Sequence, residues 1–100
     1  MRTKEQSLQR EIEGIKRKLL ALGEMRPGSL SMQTRKWGGE YWQLSYTHRG
    51  KGHTQYIVPK NRKAVERQIA NYRKFRELTL KWVDAEIELC TLNLEEQAEA

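Results

Sequence analysis

Apolar positions along the chain follow two rhythms. Near the N-terminus Leu8, Ile12, Ile15, Leu19 and Leu22 recur at alternating steps of four and three. Toward the C-terminus Leu80, Val83, Ile87, Cys90 and Leu94 recur at steps of three and four. Both are heptad seams, the mark of helices that pair. Between them the period shortens to two. Trp42, Leu44 and Tyr46 alternate with Tyr41, Gln43 and Ser45, and Thr54, Tyr56 and Val58 alternate with Gln55 and Ile57. That is strand periodicity. The pattern predicts a helix over 1–25, a β-hairpin region over 29–58, a long helix over 61–94 and an acidic tail over 95–100.

Local signals set the boundaries. Thr3 followed by Gln6 is a capping box. Arg26-Pro27-Gly28 ends the first helix, because proline steers the residue before it away from helical geometry. Ser29–Thr34 alternates weakly and is a candidate third strand. Arg35 to Gly39 reads as a loop and His48 to Gly52 as the hairpin turn. Pro59 closes the return strand, and Asn61 is placed to cap the long helix, which contains no proline or glycine. A helix over 61–94 is about 50 Å long, too long for one small core to cover. The two five-position seams match in length, so the simplest structure pairs the first helix antiparallel with the far half of the long one. A four-helix arrangement in a homodimer is the next alternative. The hairpin should lean on Val65, Ile69, Tyr72, Phe75 and Leu78 in the near half. The expected fold class is α+β: an N-terminal helix, a short antiparallel β-hairpin or three-stranded sheet, and a long C-terminal helix pairing with the first, in a single domain. Gly14 either permits close approach of another helix or is merely tolerated.

Charge changes the picture more than composition does. With 37% hydrophobic residues in 100, a compact core is small, which favours oligomerisation. The net charge is +6, unevenly spread. Nineteen bases and seven acids give residues 1–83 a net +12, and residues 84–100 carry −6 with no base. A basic body suits a polyanion, whereas the acidic end suits assembly or solvent. The lone Cys90 excludes an internal disulfide, and its seam position suggests a buried, inert thiol. There is neither an apolar run of about 18 residues nor a signal-peptide pattern, so a cytoplasmic location without membrane contact is expected.

The chemistry of an enzyme is hard to assemble. His48 and His53 flank one turn, with Glu40 the nearest carboxylate in the hairpin region. Two histidines fall short of a zinc site. Gly50-Lys51-Gly52 is too short to cradle a nucleotide, and the four tyrosines lack a recombinase-type setting. No catalytic residue, metal or cofactor is expected. Nucleic-acid binding has more support. Arg49 and Lys51 sit at the hairpin tip, and Arg35 and Lys36 precede Trp37, which can stack on a base or cap a sheet. Tyr41, Gln43 and Ser45, with Gln55, offer one polar sheet face, and glutamine can read adenine. Arg62, Lys63 and Arg73 line the long helix beside its apolar stripe, within a stretch (60–76) of seven bases and only Glu66.

Arg26-Pro27-Gly28-Ser29-Leu30, Tyr41-Trp42 with Leu44-Ser45-Tyr46-Thr47, Gly50-Lys51, Tyr56 to Pro59, and Ile69 to Leu78 together resemble a family of small uncharacterised prokaryotic proteins often encoded near transposase or other mobile-element genes. The resemblance covers roughly residues 26–83. Members commonly carry three cysteines where this chain has Met32 to Gly39, so no metal role is implied here. The resemblance implies a mobile-element setting and favours DNA over RNA, though RNA fits the composition equally well. The expected function is a non-catalytic DNA-binding accessory or regulatory factor, working as a homodimer. The alternative is a helical adaptor that binds a larger protein partner without touching nucleic acid.

Overall fold

The computed structural model describes residues 3–99, without the side chains of Ala98 and Glu99. The order of elements is α1 (Lys4–Ala21), β1 (Ser29–Thr34), β2 (Glu40–His48), β3 (Lys51–Ile57), a 3-10 turn (Pro59–Asn61) and α2 (Arg62–Glu99). The fold is α+β as expected, with three strands in the order β1-β2-β3, all antiparallel. Its packing divides into two compact units, residues 1–22 with 74–100 and residues 23–73, so that α2 contributes to both.

In the first unit α1 starts at the predicted capping box. The Gln6 amide donates to Thr3 Oγ1 and the Thr3 amide to Gln6 Oε1, each at 3.2 Å. The helix stops at Ala21, earlier than expected; the Leu22 amide turns back to the Leu19 carbonyl, and Gly23 follows. Leu8, Ile12 and Ile15 are buried as predicted. Their partner stripe is not the predicted one. Leu8 and Ile12 pack with Ala85, and Trp82, Leu89 and Leu92 close around them. With buried Leu78, the used seam runs 78-82-85-89-92, also heptad-spaced. Leu80, Val83, Ile87, Cys90 and Leu94 are all exposed, and Cys90 is therefore not the buried thiol expected. The reason lies in what the used stripe brings. Trp82 has the largest side chain to bury, and its indole N–H reaches Glu86 Oε1 at 3.3 Å while Lys16 stands 5.5 Å from its ring. Ala85, opposite Leu8 and Ile12, allows the helices close together. At the rim Lys4 Nζ meets Glu88 at 2.7 Å. That hydrogen bond, then the carboxylate's charge, holds the ammonium above its ordinary pKa against slight desolvation, with Glu95 adding a little. Gly14 makes no close approach: a Cβ there would meet nothing within 4 Å.

In the second unit Leu44, fully buried in the central strand, joins Ile57, Val65 and Ile69, with Leu30, Trp42 and Tyr46 packed around them. Val65 and Ile69 thus cover one sheet face as predicted, whereas Phe75 and Leu78 of the expected stripe fall in the other unit. The chain winds into helical geometry at Pro59, directly after extended Val58, so Asn61 lies inside the first turn and is not the cap. At the other end α2 continues past Leu94 to Glu99, since leucine, glutamate and glutamine are all good helix formers. Residues 95–99 are helix where a tail was expected. Segment 23–26 is tied to α2: the Glu24 carbonyl accepts from Asn71 at 2.9 Å, and the Arg26 amide donates to the Gln68 carbonyl at 3.2 Å.

Candidate nucleic-acid interface

The turn between β2 and β3 sets the register, and the register decides which side chains share a face. Arg49 (φ 52°) and Gly50 (φ 78°) form a two-residue turn that pairs His48 with Lys51. Both central residues have positive φ, as a type I′ turn requires. Ser45 therefore faces Thr54, Gln43 faces Tyr56 and Leu44 faces Gln55. A five-residue turn over 48–52 would have set Gln55 beside Ser45, and shifting the pairing by one residue exchanges the faces. Gln55 is accordingly on the helix-covered side, where Arg26 Nη2 donates to its Oε1 at 3.5 Å. Tyr56 and Thr54 take its place beside Tyr41, Gln43 and Ser45. Counting back from an Arg-Gly turn would have found them, but arginine is a rare choice at positive φ and gave no signal.

The open sheet face carries hydroxyls, amides and two tyrosines, and no carboxylate. The Tyr41 hydroxyl donates to Gln43 Oε1 at 3.4 Å, and Gln43 Nε2 donates to Ser45 Oγ at 3.3 Å. On β1 Gln33 Nε2 donates to Ser31 Oγ at 2.9 Å. These bonds run along the strands, each joining residues two apart. Tyr41 and Tyr56 rings stand 6.1 Å apart, and the Arg35 guanidinium lies 4.7 Å from the Tyr41 ring.

The loop between β1 and β2 closes this face at one end. The Arg35 amide donates to the Gly39 carbonyl at 3.0 Å, and the Gly38 amide to the Arg35 carbonyl at 3.1 Å. Gly38 and Gly39 both have positive φ, which lets five residues fold back tightly. The loop holds Trp37 out at 84% exposure, next to exposed Lys36. Arg49 and Lys51 are exposed at the other end of β2, about 30 Å away at strand rise. The predicted cations thus bracket the sheet and do not form one patch.

The α2 candidates lie elsewhere. Arg62 is engaged, its guanidinium 5.2 Å from the Trp42 ring and its Nη1 3.1 Å from Glu66. Lys63 is exposed on the side of α2 turned away from Val65 and Ile69, hence away from the sheet. Arg73 is exposed beside the buried stripe. Neither shares the open sheet face. Tyr46 stacks on His53 at 4.8 Å with Arg26 5.1 Å from its ring, all on the covered side.

Among the described residues no three His, Cys, Asp or Glu side chains converge as metal ligands, and no helix is long and apolar enough to cross a membrane. No family model, no curated protein and no solved structure matches the chain.

Proposed function

We propose that the chain is a non-catalytic nucleic-acid-binding protein whose open sheet face receives an unpaired or unstacked segment. Trp37 carries this reading. A tryptophan 84% exposed on a tight two-glycine loop is of no use to the core, and it stands at the edge of a carboxylate-free face bearing Tyr41 and Tyr56. Such rings stack on bases of any sequence, while cations at both ends hold the backbone. Lys36 and Arg35 serve one end, Arg49 and Lys51 the other. Gln43 keeps one amide hydrogen and lone pairs for a base edge or sugar. The resemblance to mobile-element-associated proteins makes DNA the first ligand to test and an accessory role the natural setting.

The experiment is a salt series of binding to labelled single-stranded DNA, duplex DNA and structured RNA of matched length, following Trp37 fluorescence. Tight binding with a steep salt slope and a preference among the three at physiological salt is expected. Trp37→Ala with Tyr56→Ala should weaken it by roughly 30-fold or more, from stacking worth about 1–3 kcal/mol per base at two rings. Equal, weak binding to all three, unaffected by those substitutions, would leave only nonspecific charge attraction. The adaptor reading would then gain, since α2 exposes an apolar stripe that a protein can cover.

A further inference from the structure

The C-terminal half of α2 is apolar on two opposed sides. One stripe, Trp82, Ala85, Leu89 and Leu92, is spent on α1. The other, Leu80 (62% exposed), Val83 (55%), Ile87 (61%), Cys90 and Leu94 (67%), faces solvent with unbroken heptad spacing. In heptad terms Leu80, Ile87 and Leu94 are a positions and Val83 and Cys90 are d positions. A solvated helix face has no reason to repeat apolar residues in that order over four turns.

We propose that this stripe joins a second copy of the chain, α2 against α2, antiparallel. Three features favour a copy of itself in that direction. Reversal makes four of the five stripe positions self-complementary. Val83 layers against Leu94, and Ile87 against the small Cys90, with each pair repeated by two-fold symmetry, while Leu80 lies against the stem of Gln97 at either end. The flanking positions meet without like charges, Asp84 against Thr91 and Glu86 against Asn93. The charge gradient of the helix also runs the right way. Antiparallel pairing sets Glu95 and Glu96 of one copy level with Lys81 of the other and opposes the two helix dipoles, whereas parallel pairing sets each acidic end beside itself. The area is adequate. At on the order of 100 Å² per side chain, the four paired residues of each copy, with Leu80 against Gln97 at each end, cover about 1,000 Å², the lower bound of a specific interface. This inference does not rest on nucleic-acid binding.

Cys90 provides the test. In the antiparallel pair the two Cys90 residues are offset by three residues, about 4.5 Å along the axis. Added to the lateral separation, that takes their α-carbons beyond the roughly 7 Å limit of a disulfide. Position 87 instead lies level with Cys90 of the other copy. Sedimentation at micromolar concentration should show a dimer, and Ile87→Asp should yield a monomer with unchanged helical content, because Ile87 is solvent-exposed in the single chain. Under mild oxidation the native chain should stay uncrosslinked, whereas Ile87→Cys should give a dimer whose peptide map joins position 87 to Cys90. A native chain that is monomeric at tens of micromolar overturns the proposal. So does ready Cys90–Cys90 crosslinking, which marks a parallel pair, or a dimer that survives Ile87→Asp.

Discussion

Replacing Gly28 with alanine should disrupt the sheet unit more than any other single methyl. Gly28 has φ 134°, a region open essentially to glycine alone. Its missing Cβ would sit 2.8 Å from Leu44 Cδ1, 2.9 Å from the Ser45 carbonyl oxygen and 3.2 Å from Tyr46 Cβ. Two of those neighbours cannot yield. The carbonyl belongs to the central strand, and Leu44 is the fully buried side chain around which the core packs. Backbone strain costs about 1–3 kcal/mol, and forced overlap in a packed core adds about 1–3 kcal/mol. The sum, roughly 2–6 kcal/mol, is a large part of the stability of a small unit. Gly38→Ala separates the two contributions. Gly38 also has positive φ, 99°, but its Cβ would meet nothing within 4 Å. It should therefore cost only the strain. Amide hydrogen exchange in β2 reports the opening of this unit directly. Gly28→Ala should accelerate exchange of the Tyr41–Tyr46 amides by roughly fivefold or more beyond what Gly38→Ala does. Equal acceleration would refute the claim that steric overlap at Leu44 and Ser45 contributes.

Other substitutions probe separate links. Gly14→Ala, in the interior of α1 with open space around it, should raise stability by about 0.5–1 kcal/mol in urea denaturation; a loss would mean that a neighbour occupies the space. Arg49→Asn should stabilise the hairpin by about 0.5–1 kcal/mol, since asparagine accepts the positive φ that arginine resists. The same change should weaken nucleic-acid binding; unchanged affinity would remove the tip from the interface. Ile15→Asp should destabilise the α1–α2 unit by about 3 kcal/mol or more, because it buries an unpaired charge, and retained helicity at ordinary temperature would contradict its burial. The Lys4 ammonium, raised in pKa by Glu88, stabilises the folded chain fully below its unfolded value and loses that contribution as pH climbs through the folded one. Its small effect should therefore vanish only in the alkaline range, near and above pH ~10, and Lys4→Met should abolish that alkaline step alone in a thermal-melt series.

The chain determines its elements largely by itself. The Thr3–Gln6 box starts α1, Pro59 ends β3 and opens the turn that leads into α2, and the seam of Leu8, Ile12 and Ile15 is buried as its spacing demands, because these choices depend on neighbours within one or two turns. Two matters escape local reasoning. The far half of α2 carries two heptad stripes on opposed sides. Period alone cannot choose between them, and the choice fell to the stripe whose tryptophan gains most from burial and whose alanine lets α1 approach. The faces of β3 hinge on whether the turn has two residues or five, a one-residue shift of pairing that moves Gln55 from the open side to the covered one and brings Tyr56 out in its place. Spacing along the chain fixes which residues can share a face; only packing against a partner decides which face is used.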